Sequence, residues 1–178
     1  MIPFPNKKYN IIYADPAWHY DQRNERPSDN ITKKYSTMKM EDIYKLPVNE
    51  IADKNCLLFL WVTYPKLVEG LKTIDSWGFK YITCAFSWIK KNKKSDGIFF
   101  GLGNWTRANN EICLLGKKGT PKRKSAYVAQ VVIDNLREHS RKPDRIRNDI
   151  VELCGDLPRI ELFARQKADG WDSWGNEL

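Results

Sequence analysis

The chain has 178 residues, 42% of them hydrophobic and 12% aromatic, which fits one globular domain over residues 1–178 and excludes a disordered chain. Its net charge is +8, and much of the surplus is clustered at Lys90–Lys94, Lys117–Lys124 and Arg137–Arg147, a pattern that suits phosphate backbones or a solvated face. No apolar run reaches membrane-span length, Met1 to Lys8 lacks the order of a signal peptide, and two histidines with four scattered cysteines leave little for a metal site or a disulfide framework; the expectation is a cytoplasmic chain with free thiols and no metal.

In chain order, Tyr9 to Ala14 is rich in β-branched and aromatic residues and reads as a buried strand that stops at Asp15-Pro16, because proline lacks an N–H and restricts the residue before it. A carboxylate, a proline and Trp18 are thereby set in a row at a strand end, where open α/β sheets bind ligands. His19 to Lys34 has no periodicity and reads as a long loop closed by Tyr35-Ser36-Thr37-Met38. Lys39 to Leu46 is expected to form a short helix ended by Pro47. The uninterrupted run Cys56 to Val62 reads as a central strand covered on both faces.

Leu67, Val68, Leu71, Ile74 and Trp77 recur at helical spacing before Gly78, and Phe79 to Lys90 returns to strand composition. That rhythm of strand, helix and strand predicts a crossover and a mostly parallel sheet. Asn92 to Asn104 is a second polar loop, Glu111 to Gly116 a further strand, Lys117 to Lys124 a basic turn and Val128 to Ile133 a candidate strand. Pro143 is placed for the first turn of a helix whose apolar side is Ile146, Ile150, Val151 and Leu153/Cys154, with Gly155 ending it. Arg159 to Ala164 is the last strand, and the tail carries Trp171, Trp174 and Asn176.

An ordered series of segments carries a resemblance. The pieces are Ala14-Asp15-Pro16-Ala17-Trp18, Tyr35-Ser36-Thr37-Met38, Leu58 to Thr63, Asn110-Glu111 with Leu114 and Gly116 to Gly119, Ser140 to Asp144, Arg159 to Arg165, and Trp174-Gly175-Asn176. In this series the chain resembles the N6-adenine methyltransferases that share an Asp-Pro-Pro-Trp signature, a family that includes the catalytic subunit of the eukaryotic messenger-RNA adenosine methyltransferase and DNA-methylating relatives of bacteria and phages. The resemblance implies an α/β, single Rossmann-like domain that binds S-adenosylmethionine, with a circularly permuted order in which the catalytic motif precedes the cofactor motif. That order accounts for the lack of a G-x-G-x-x-G after the first strand.

The chemistry explains the signature. An exocyclic adenine amine is a poor nucleophile because its lone pair is delocalised into the ring. Acceptors on its two N–H bonds turn the lone pair outward, and acceptors aimed at growing charge favour the transition state over the ground state. By resemblance these are the Asp15 carboxylate and the Pro16 carbonyl, with Asp15 also facing the cofactor's ammonium. Trp18 and Tyr35 are aromatic surfaces suited to a base lifted out of its helix, although Trp18 taken alone reads equally as a core or rim residue. Ala17 stands where the family has a second proline and restores an N–H to the turn.

The resemblance further places Lys142 near the cofactor's carboxylate, just before a helix start that also attracts anions. Ser140 and Phe163 line the same pocket, Arg165 and Asn176 reach the ribose hydroxyls, and Glu177 stands where relatives have glutamine. Taken alone, Lys142 and Arg165 read as surface charges or ion-pair partners. Two further family positions are occupied by Lys167 and Ala168. Trp105, Arg107 and Asn110, with Asn104 and Glu111, fall where the family places a loop and strand near the acceptor.

Adenine-N6 methylation of nucleic acid is the reading, with DNA favoured over RNA because the chain carries no appended RNA-binding module. Its alternatives are an RNA N6-adenosine methyltransferase, a non-catalytic nucleic-acid-binding subunit of a methyltransferase complex, and cytosine-N4 methylation. A homo- or heterodimer is the oligomeric expectation that the family brings.

Overall fold

Strand β1, Tyr9–Ala14, is buried along almost its whole length because it has a parallel neighbour on each side: β2, Ala52–Val62, and β6, Arg159–Leu162. The structure is a computed structural model that describes residues 2–20, 38–101, 103, 105–137 and 141–178. The remaining elements are the helices α1, Met40–Tyr44, α2, Val48–Ile51, α3, Leu67–Ser76, and α4, Arg145–Cys154, with strands β3, Lys80–Lys91, β4, Asn110–Lys118, β5, Val131–Asn135, and β7, Asp172–Trp174. Seven strands form one sheet in the order β5-β3-β4-β2-β1-β6-β7.

The two-residue period of β2 divides the core. Leu58, Leu60 and Val62 pack with Ile43, Ile74 and Trp77 of the helical layer made by α1 to α3. Leu57, Phe59 and Trp61 point to the other face and meet Ile146, Ile150 and Cys154 of α4, with Trp88 edge-on to Trp61 at a centroid distance of 6.5 Å. Helices cover both faces, so the continuous apolar run of β2 is what a strand wet on neither side requires. At the ends of α3 and α4 the turns fall to Gly78 and Gly155, with φ of 80° and 94°, a conformation costly for other residues.

The sheet is mostly parallel, as expected, and of its seven strands only β4 is reversed: it lies antiparallel between β2 and β3, so those two run parallel without touching. Helix α1 ends at Tyr44, short of Pro47 as expected, and Pro47 in turn caps the start of the undeclared short α2, since a proline is tolerated where N–H groups have no helical partner. Other expectations are corrected. Pro143 sits outside α4, ahead of Asp144 at the N-cap, and its carbonyl accepts the N–H of Ile146 at 3.2 Å. Val68 is 75% exposed, so the buried stripe of α3 is narrower than its apolar residues. The candidate strand at Val128 starts at Val131, and β7 is an element the sequence did not declare. Among the described residues no helix is long and apolar enough to cross a membrane.

Candidate active site

Topology gathers the site. The parallel strands β1, β2 and β6 end on one edge of the sheet, where Ala14 lies opposite both Leu60 and Leu162. Because β4 runs the other way, its beginning reaches that same edge: Ile112 pairs with Val62, and Glu111 pairs with Trp88 near the end of β3. Asp15, Lys90 and Glu111 are thus brought together from three strands, and Lys142 enters from the segment before α4.

Lys142 Nζ donates to both oxygens of Asp15, at 2.8 and 2.7 Å, and lies 3.2 Å from Glu111 Oε2. Glu111 also accepts from Lys90, and the Lys142 ammonium stands 5.5 Å from the centre of the Trp61 ring. Burial pushes the Asp15 carboxyl above the usual range, and the Lys142 ammonium pulls against it. Burial works against the ammonium of Lys142, yet Asp15 and Glu111 together hold its pKa above the ordinary lysine value. Burial raises Glu111 as well, but Lys142 and Lys90 outweigh that and leave it below the usual glutamate range. Two ammoniums against two carboxylates make a charge-balanced cluster in a nearly dry setting, where removing one member strands another.

The turn after β1 is fixed by its own backbone. The Trp18 N–H donates to the Pro16 carbonyl at 2.9 Å, and the Met38 N–H reaches Ala17 O at 3.2 Å. The Pro16 oxygen keeps a second lone pair for another donor. Trp18 is only 6% exposed and its indole N–H is held by Trp61 O at 3.0 Å. The ring expected to receive a base is therefore largely a core side chain that braces the turn. Trp61 in turn donates its indole N–H to the Tyr13 hydroxyl at 2.7 Å.

The remaining expected residues divide. Phe163 follows β6 with φ of 61°, its ring edge-on to Trp174 at 5.5 Å, while Ala164 N–H bonds Trp174 O. A Cβ on Gly175 would stand 2.3 Å from Ala164 O, so only glycine permits this approach of the tail to the end of β6. Arg165 and Glu177 are joined at 3.5 Å, and Asn176 is exposed beside them. Asn110 donates to the Tyr64 hydroxyl at 2.8 Å. On the connection from β3 to β4, Trp105 is fully exposed and Arg107 lies over the exposed ring of Phe100 at 5.7 Å. Tyr35, Ser140 and Asn104 lie outside the described residues.

Sequence reasoning assigned no role to Lys90 beyond a basic cluster, and it named Glu111 only as a neighbour of the acceptor. The signal lay in strand direction, which composition does not carry. Lys90 is bound to Glu111, and Arg137, Arg141 and Arg147 pair with Asp134, Asp144 and Glu161, so part of the clustered charge is internal. Lys93, Lys94, Lys117 and Lys122 to Lys124 remain exposed.

Asp15 at the end of a central strand, bound by Lys142 and flanked by the Phe163–Trp174 contact after β6, stands where α/β domains bind ligands. The family model described as MT-A70 matches residues 9–177, so the chain belongs to the MT-A70 family, whose named members are N6-adenine methyltransferases that use S-adenosylmethionine as methyl donor. Among its relatives, the type II methyltransferase M.MunI of Mycoplasma is 34% identical, over 98% of this chain and 79% of its own length. A protein of Medicago truncatula named a putative N(6)-adenosine-methyltransferase MT-A70-like is 33% identical over 96% of this chain, and the human N(6)-adenosine-methyltransferase catalytic subunit METTL3 is 30% identical over 96%. The chain spans only 26% and 28% of the length of those two proteins.

Proposed function

We propose that this chain is a single-domain enzyme that transfers a methyl group to the N6 amine of adenine in DNA. The observation that carries the reading is Asp15, a half-buried carboxylate at the end of β1 beside the Pro16 carbonyl and bound to Lys142. The donor set fits S-adenosylmethionine: an ammonium for its carboxylate in Lys142, a carboxylate for its ammonium in Asp15, and polar groups on Arg165, Asn176 and Glu177 for its ribose and base. By resemblance, Phe163 and Ser140 line the cofactor pocket. When bound, the cofactor supplies an electrophilic methyl and leaves as a thioether.

The protein's part is orientation. Asp15 and the free lone pair of Pro16 accept the two N6 hydrogens, which turns the nitrogen lone pair outward and stabilises the positive charge that grows on it. Trp18 holds the turn, and by resemblance Tyr35 offers an aromatic face for the base. At the rim, Trp105 offers a stacking face, Arg107 a contact for phosphate and Asn110 a polar edge. The match over 79% of a type II methyltransferase favours DNA, while the METTL3-named relatives support RNA as the second reading.

Labelled S-adenosylmethionine offered to single-stranded DNA, duplex DNA and RNA, each with and without adenine, tests both. Label is expected in adenine-containing DNA. Label entering RNA alone overturns the DNA assignment, and label independent of adenine overturns the reaction.

A further inference from the structure

Lys142 brings three ammonium protons to three carboxylate oxygens, two on Asp15 at 2.8 and 2.7 Å and one on Glu111 at 3.2 Å. This arrangement opposes the task assigned to Asp15. A carboxylate engaged at both oxygens by an ammonium is a weaker acceptor for a neutral amine. A positive charge so close also repels the charge that develops on N6, and in a dry site that repulsion is little screened. Lys142 therefore has to loosen its hold on Asp15 before the acceptor amine can be gripped, and it is too buried to carry its charge into water.

Glu111 provides the second place for that charge. Its Oε2 already touches Lys142, its Oε1 is fixed by Lys90, and its low pKa keeps it ionised. We propose that Glu111 is a positioning residue for methyl transfer: it retains the Lys142 ammonium as that group shifts from Asp15 toward a cofactor carboxylate, which frees one Asp15 oxygen for the adenine amine while the other meets the cofactor's ammonium. This rests on the reading of the chain as an adenine methyltransferase, and it goes further by coupling the two binding events. Cofactor and adenine then bind with positive cooperativity through the cofactor's carboxylate.

The test measures the affinity of an adenine-containing DNA oligonucleotide by fluorescence anisotropy at fixed ionic strength. It is run alone, with saturating S-adenosylhomocysteine, and with the decarboxylated analogue S-adenosyl-3-thiopropylamine. Neither ligand donates a methyl, so the readout is independent of turnover. S-adenosylhomocysteine is expected to tighten oligonucleotide binding about tenfold, a usual size for coupled sites, and the decarboxylated analogue less than about threefold.

Glu111→Gln is expected to bring the S-adenosylhomocysteine effect below about threefold. Lys90→Met, which leaves Glu111 free to draw Lys142 away, is expected to raise oligonucleotide affinity without any cofactor. Equal effects of the two ligands, or undiminished coupling in Glu111→Gln, overturn the role of Glu111. Should Glu111→Gln fail to fold, the ligand comparison and Lys90→Met decide alone. A parent protein that binds both partners independently sinks this inference only, whereas one that binds neither sinks the proposed function with it.

Discussion

The molecule contains two nearly buried ion clusters that differ in one choice of residue. Between α4 and β6, Arg147 grips Glu161 with two parallel bonds, Nε to Oε2 at 2.7 Å and Nη2 to Oε1 at 3.0 Å. At the end of β1, Lys142 divides a single ammonium between two carboxylates from different parts of the sheet. A guanidinium fork fits one carboxylate in one geometry, whereas an ammonium is a compact charge on a flexible stem. The first cluster fixes a helix to a strand. The second holds a compact charge able to move a short distance within the site, whereas Arg147, although its Nη1 also reaches Asp144 at 3.2 Å, is held by its fork.

The sharpest way to break this contrast is to remove charge from each cluster in turn. Asp15→Asn keeps the side-chain shape and an acceptor for Lys142, yet is expected to lower turnover about a thousandfold while the protein stays folded, as read by labelled transfer and melting together. Arg147→Met does the reverse. It leaves Glu161 buried without its partner, at a cost of about 3–5 kcal/mol. In a chain of this size that is a fall in Tm of about 6–20 °C by calorimetry, with turnover per folded molecule close to that of the parent.

Acid sharpens the comparison inside the catalytic cluster. Glu111 titrates below its unfolded value, so its contribution to stability is present above about pH 4.5 and is lost as the pH falls through its folded pKa. Asp15 is raised, so its contribution has the opposite sign: it is complete below about pH 4 and is lost as the pH rises through its folded pKa. The Tm of Glu111→Gln is therefore expected to fall less than that of the parent on acidification through this range, and the Tm of Asp15→Asn to fall more. The smallest effect belongs outside both clusters. Lys93→Gln and Lys94→Gln are each expected to reduce by about one the slope of log affinity for DNA against log salt, and an unchanged slope would remove the loop from the contact surface.

Much of the site was legible in residue types and order. Asp15 stood out as a carboxylate ending a strand, Lys142 was singled out by the family resemblance and not by its own residue type, and the two meet although 127 residues separate them. Glu111 and Lys90 were hidden because a run such as Glu111 to Gly116 states that a strand exists without stating its direction. Only the antiparallel setting of β4 brings Glu111 to the same edge as the ends of β1 and β2. Val68 and β7 failed for a related reason. An apolar residue on a short helix and three residues paired at a sheet edge depend on neighbours supplied from far along the chain.

Trp61 has a wider meaning for anyone wishing to retarget this domain. Its backbone carbonyl secures Trp18, its indole N–H secures Tyr13, and its face underlies the Lys142 ammonium, so one residue ties the turn after β1, the first strand and the mobile charge to a common anchor. Substitution there, even by phenylalanine, would remove the bond to Tyr13 and alter the face beneath Lys142, while the carbonyl that holds Trp18 would remain. Diversification for new sequence preferences is best confined to the periphery around Trp105 and Arg107, which are solvent-facing and carry no such mechanical duties.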